Sequence, residues 1–155
     1  MSDSDRVLTR QSRICLGLMR LGTRMASQFD AWFAEHEITQ AQFRVLLAVW
    51  QLADKPDHVT PSALADYLFI ERPTATILIA KLVERSLLAR VPDETDRRSH
   101  RLRLTPSGGN LLSIMGPIAT AKGGNTLAPF TDGEQETFLA LLARLEAHLR
   151  SGTDV

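Results

Sequence analysis

One stretch limits the choice of fold more than any other: Asp93-Glu-Thr-Asp-Arg-Arg-Ser-His-Arg-Leu-Arg-Leu-Thr105. It carries four arginines, Arg97, Arg98, Arg101 and Arg103, within seven positions and with no acid among them. Three acids, Asp93, Glu94 and Asp96, stand just before. From Arg101 to Leu104 charged and apolar residues alternate, and a period of two is the pattern of a half-buried strand. The alternation turns Leu102 and Leu104 towards a core and Arg101 and Arg103 away from it. The simplest structure is an arginine-tipped hairpin loop whose second strand is pinned by two leucines. Two uses fit such a projection. One is contact with a phosphate backbone or a narrow groove of negative potential; the other is a plain solvated charged loop.

The rest of the chain bears on that choice. At 155 residues it has the length of one domain, or of one domain with an oligomerisation element. Hydrophobic residues make up 44% of it, enough to bury a core and too many for a disordered chain. The formal net charge is zero, so affinity for nucleic acid would need local segregation of charge. Residues 71–103 hold eight Lys/Arg against five Asp/Glu, while 36–70 and 104–155 each run two short of neutrality. The positive segment therefore coincides with the arginine loop. A single cysteine, Cys15, excludes an internal disulfide framework. No apolar run approaches a membrane span, and the polar start Met-Ser-Asp-Ser-Asp does not read as a signal peptide. The expected location is the cytoplasm.

In chain order, residues 1–9 read as a frayed start. From Arg10 to Glu35, Ile14, Leu18, Leu21, Met25, Phe29 and Trp32 recur at spacings of three and four, one stripe of a long helix. Leu16, Met19 and Phe33 widen its apolar surface. Either a second subunit or a central core position explains that width. Thr39 with Gln42 fits a capping box, and Phe43, Leu46, Leu47 and Trp50 continue a helix to Leu52. After a loop, Thr60-Pro61 is an N-cap followed by proline in the first turn. The short helix to Leu68 turns Leu64, Ala65 and Leu68 inwards. A break at Phe69-Ile70-Glu71 leads to a second helix near Arg72-Pro73, buried along Ala75, Leu78, Ile79 and Leu82. Its opposite face presents Pro73, Thr74, Thr76, Ile77, Lys81 and Glu84.

Two short helices joined in this way resemble a helix-turn-helix, whose second helix enters the major groove. Thr74 and Thr76 could reach base edges or phosphates, and Ile77 a thymine methyl. The plain alternative is an ordinary helix pair, for which an uncovered Ile77 is awkward. The strand Ser86–Val91, the loop Pro92–His100 and the return strand Arg101–Thr105 complete a winged arrangement. Thr105-Pro106 opens a further helix, expected to kink at Gly116-Pro117 and end near Gly123-Gly124. Thr131 with Glu134 is a second capping box, starting a last helix with Phe138, Leu141, Leu142, Leu145 and Leu149 in register.

At these residues a family resemblance appears. Asp96-Arg97-Arg98, followed by Leu102-Arg-Leu-Thr105 and Gly108, resembles the wing signature of the MarR family of bacterial transcription regulators. The similarity runs over residues 10–150. It implies a mainly α fold with a small β-hairpin. Residues 38–105 would form the winged helix-turn-helix, and 10–35 and 106–150 the dimerisation helices. It also implies a homodimer on a pseudo-palindromic double-stranded operator, commonly a repressor, released by a small aromatic effector or by cysteine oxidation. By position, Thr74 and Thr76 fall where the recognition helix contacts DNA, with Arg72, Pro73, Ile77 and Lys81 around them. Arg98 falls where the wing arginine enters the minor groove, and Asp96 where an acid orients it. Arg97 and Arg101 would neighbour phosphates. Ser86 stands where glycine is usual before the first wing strand, and Ile77 where arginine is common. Cys15 sits near the place of a peroxide-sensing cysteine. The supporting tyrosines are replaced by Phe29, Gln40 and Phe43, which leaves a buried structural cysteine as the other reading. Met25, Phe29, Trp32, Phe43 and Trp50 are either the lining of an aromatic ligand pocket or plain core.

Catalytic chemistry finds no support. The four histidines are scattered without metal-ligand spacing, and there is neither a nucleophile elbow nor a phosphate-cradling glycine loop. No cofactor and no membrane partner are implied. The remaining rival is a helical protein-interaction module with no DNA target, for which an arginine-tipped wing has no use.

Overall fold

The computed structural model describes residues 8–53, 59–92 and 100–152. The chain divides into two compact units, the first ending at Met115 and the second starting at Gly116.

In the first unit α1, Arg10–Phe33, opens on Thr9, whose Oγ1 accepts the Ser12 N–H at 3.2 Å. Thr9 thus caps the helix instead of belonging to the frayed start. A single 3-10 turn, Ala34–His36, ends with Glu37 in the left-handed region, φ 53°. It leads to α2, Gln40–Leu52, where the capping box is formed in both directions. Gln42 N–H donates to Thr39 Oγ1 at 3.2 Å, and Thr39 N–H donates to Gln42 Oε1 at 3.0 Å. α3, Pro61–Leu68, is capped by Thr60; α4 is Arg72–Glu84.

α4 closes in a Schellman arrangement. Leu87 N–H donates to Leu82 O and Ser86 N–H to Val83 O, both at 2.9 Å, with Ser86 at φ 56°. Because Ser86 belongs to this cap, β1 starts later than its sequence suggests, at Leu88, and runs to Pro92. It pairs antiparallel with β2, His100–Leu104. On its other edge β2 receives a third segment, with Leu102 N–H donating to Val59 O at 2.8 Å. Leu102 is buried and Arg103 exposed, as the alternation requires, but Arg101 is half-buried.

The core of this unit joins Phe33, Leu46, Val49, Leu64, Ile79, Leu82, Leu88 and Met115, all at or below 2% exposure. Aromatic edges link α1 to α2, Phe33 to Phe43 at 5.0 Å between ring centroids. Helix α5, Pro106–Leu127, begins here, with Thr105 Oγ1 accepting the Gly108 N–H at 3.0 Å. The helix is continuous through Gly116-Pro117 and does not end near Gly123-Gly124 as expected, running on to Leu127. A proline removes one backbone donor without preventing helical φ on either side. Glycine before it has no Cβ to meet the pyrrolidine ring.

The second unit holds the rest of α5 and α6, Asp132–Arg150. Thr131 and Glu134 form the second capping box, and Phe130 stacks on Phe138 at 6.1 Å. No residue of α6 is buried. Among the described residues, no helix is long and apolar enough to cross a membrane.

Candidate nucleic-acid interface

The helix-turn-helix is built by local chemistry at its two joints. α3 ends with Phe69 in the left-handed region, φ 53°, and the Ile70 N–H returns to Ala65 O at 3.1 Å. This turn closes α3 and aims the chain into α4. At its other end Arg85 donates to the carbonyl of Glu37 at 2.5 Å, tying the exit of α4 to the α1–α2 elbow. α4 buries Ala75, Ile79 and Leu82 completely, with Leu78 half-buried beside them.

The face opposite is solvent-facing. Arg72, Pro73, Thr74, Thr76, Ile77 and Lys81 are all exposed. Ile77 is 58% exposed and is left uncovered by the described residues. Thr76 donates its hydroxyl to Arg72 O at 3.0 Å, which leaves its oxygen as an acceptor towards an incoming donor. The first turn of α4 has no acid and no side-chain cap from Glu71. Pro73 in this turn has no amide to donate and Glu71 stands at the N-cap, so the helix dipole is the feature that favours an anion here.

The wing strands follow. Arg101 lies opposite Val91 and Arg103 opposite Ala89. Asp96, Arg97 and Arg98, which the sequence reading assigns to the wing, lie outside the described residues. The base of the wing is held by a tight junction: Thr105 donates its hydroxyl to Ser86 O at 2.6 Å and its N–H to Leu87 O at 3.2 Å. Gly108 is buried against the same peptide, where a Cβ would stand 2.1 Å from the Leu87 oxygen.

The aromatic residues considered as a ligand pocket separate into two places. Met25 and Phe29 of α1 and Phe43 of α2 line one cleft of about 360 Å³, with Gly22, Ala26, Phe33, Gln40 and Arg44. Trp32 does not line it. It stands 60° round the helix from Phe29 and packs on that ring edge-on at 4.9 Å. Trp50 is in the right phase with Phe43 but two turns further on, roughly 10 Å away along the axis. It is 61% exposed and lines a separate groove of about 440 Å³ with Val59 and Arg101 to Leu104. Sequence periodicity also missed Arg44, one turn beyond Gln40 on the same face of α2. The signal was there, since residues four apart on a helix are neighbours. Cys15 is a free thiol exposed on α1 of the single chain.

A helix with one exposed face, presented by a helix-turn-helix and followed by a two-stranded hairpin, is the winged-helix arrangement. A family model described as MarR family matches residues 36–99, from the α1–α2 elbow to the wing. The regulator PecS of Dickeya dadantii (strain 3937) is 29% identical over 132 residues, 85% of this chain and 79% of PecS. The structure of a MarR transcriptional regulator from Methanosarcina mazei Go1 superposes with TM-score 0.75 at 28% identity, covering 88% of this chain and 96% of the other. The S. aureus MepR–DNA complex has the same fold, TM-score 0.75 at 22% identity over 91% of this chain and 98% of that one. Over residues 36–99 the chain is similar to the MarR family, and over most of its length it shares the fold of a MarR-family structure.

Proposed function

We propose that this regulator works as a homodimeric repressor, binding a pseudo-palindromic operator and leaving it when a small aromatic effector enters the α1–α2 cleft. The observation that carries the DNA reading is the exposed face of α4, where Ile77 is 58% exposed among Thr74, Thr76, Arg72 and Lys81. A protein-interaction module gives that mixture no partner; a major groove offers acceptors, phosphates and thymine methyls to each. MepR, of the same fold, takes DNA. Thr74 and Thr76 meet base edges or backbone, Arg72 and Lys81 phosphates, and Arg97 and Arg101 the phosphates beside the wing. Arg98, oriented by Asp96, enters the minor groove.

The test is a mobility shift on DNA from upstream of the protein's own coding sequence at two salt concentrations. A specific complex that weakens steeply with salt is expected. Absence of a shift at micromolar dimer counts against the reading. Arg98→Ala should cost on the order of 1–3 kcal/mol of operator binding with the fold intact. Unchanged affinity would remove the wing from the mechanism.

A further inference from the structure

The exposed face of α4 has an apolar centre. At 3.6 residues per turn, Pro73, Ile77 and Ala80 fall within about 60° of one another, in a line down the middle of that face. All three are exposed, and Ile77 is the largest of them. The polar side chains stand to either side. Thr74 and Lys81 share one flank, and Thr76 takes the other with its hydroxyl proton engaged by Arg72 O. Arg72 itself stands about 140° round the helix from Ile77. From Pro73 to Ala80 the line measures roughly 10 Å at 1.5 Å per residue, the height of about three stacked base pairs. Glu84 closes it a turn further on.

The hydrogen-bonding readers of the major groove are arginine or lysine on guanine, asparagine or glutamine on adenine and acids on cytosine. α4 contains no asparagine, glutamine or histidine, and its two cations lie off the line. Pro73, Ile77 and Ala80 have no polar side-chain atom. A base-edge donor or acceptor set against them would lose its water and gain no partner, at a cost in affinity. The apolar feature of a major-groove edge is the C5 methyl of thymine. 5-Methylcytosine carries the same methyl on the same carbon. The line is therefore matched to pyrimidine methyls, while Lys81, Thr74 and Thr76 are placed to meet the phosphates that border the groove. The flanks seat the helix, and the apolar line between them selects the sequence.

We propose that α4 reads its operator through pyrimidine C5 methyls, with Ile77 as the specificity-determining residue, so that binding responds to methylation of cytosine as well as to thymine. The inference rests on the DNA reading above and adds to it which part of a base pair is read.

The experiment uses the upstream duplex of the mobility-shift test, synthesised once with thymine and once with uracil in place of every thymine. Uracil pairs with adenine as thymine does and lacks only the methyl. Affinity of the full chain is followed by fluorescence anisotropy. Loss of one buried methyl weakens binding by about fourfold, so the uracil duplex should bind at least that much more weakly. Ile77→Ala should bind the thymine duplex about as weakly as the wild type binds the uracil one, and should bind its own two duplexes within about twofold of each other. Its urea midpoint should match the wild type, because the side chain is exposed. Uracils introduced singly then locate the methyls that are read. At each such position 5-methylcytosine should bind tighter than cytosine, again by about fourfold. Thymine binding tighter than 5-methylcytosine there supports the reading with thymine as the source of the methyl, and the reverse order supports it with methylated cytosine. Equal binding of the thymine and uracil duplexes overturns methyl reading and keeps DNA binding. A uracil loss of the same size in Ile77→Ala overturns the role of Ile77. No shift with either duplex overturns the DNA reading and this inference with it.

Discussion

Ser86 sits at φ 56° with a side chain where the backbone favours glycine. An L-residue in this region is destabilised by roughly 1–2 kcal/mol, and glycine escapes that cost while gaining freedom when unfolded. The groups that fix the turn are backbone ones, the Ser86 carbonyl taking the Thr105 hydroxyl among them. Ser86→Gly keeps them all, so it should stabilise the protein by about 0.5–1 kcal/mol, read as a shift in urea midpoint at constant slope. Gly108 presents the opposite case. Its missing Cβ is the space occupied by the Leu87 carbonyl, which already accepts the Thr105 N–H. Neither backbone can yield without opening the wing's base. Gly108→Ala should therefore destabilise by roughly 1–3 kcal/mol or more in the same measurement, and an unchanged midpoint would mean the junction is softer than described.

At the scale of elements, most of the fold was legible because its helix starts are written locally. Thr39 with Gln42 and Thr131 with Glu134 place two helix starts within four residues each, and both boxes form in both directions. The second has a titratable member. Glu134 accepts from the Thr131 N–H at 2.8 Å and from its hydroxyl at 2.9 Å, and these bonds hold its carboxyl below the usual range, the backbone bond most. A carboxylate with a lowered folded pKa stabilises fully above its unfolded value and ceases to as pH falls through the folded one. Amide protection in the first turn of α6, corrected for intrinsic exchange, should hold at neutral pH and decline as acid protonates Glu134. Glu134→Gln should remove that dependence. What the sequence did not reveal lies where a rule states a cost without saying whether it is borne. Pro117 marks a place where a helix can break, and α5 runs through it. Helical phase set Trp50 in line with Phe43, but phase carries no height, and the two line different cavities. Arg44 escaped notice because its partner, the Leu68 carbonyl, is 24 residues away and has no side-chain signature.

For the whole molecule the unresolved quantity is apolar surface. α1 leaves Ile14, Leu16, Met19 and Leu21 open, Met19 at 71%, and buries only Phe33. In the other unit α6 leaves Phe138, Leu139, Leu141, Leu145 and Leu149 open, Leu139 at 68%, and buries nothing. Exposed apolar helix surface of this extent marks interaction sites. The proposed second copy of the chain would cover this surface and also serve the DNA reading, because a twofold dimer presents two α4 helices to two half-sites. Light scattering at micromolar concentration should therefore give twice the chain mass of 17.2 kDa. Met19→Glu and Leu139→Arg each place a charge on one of these faces, where burial without a partner is costly. Each should shift the population towards monomer. The monomer should lose more than about tenfold in operator affinity, since one lobe no longer raises the local concentration of the other. The Arg98→Ala variant serves as the contrast: it should remain a dimer while binding DNA less well. Twofold mass in both charged variants, with operator affinity unchanged, would place the dimer contact elsewhere and leave the open faces of α1 and α6 without this explanation.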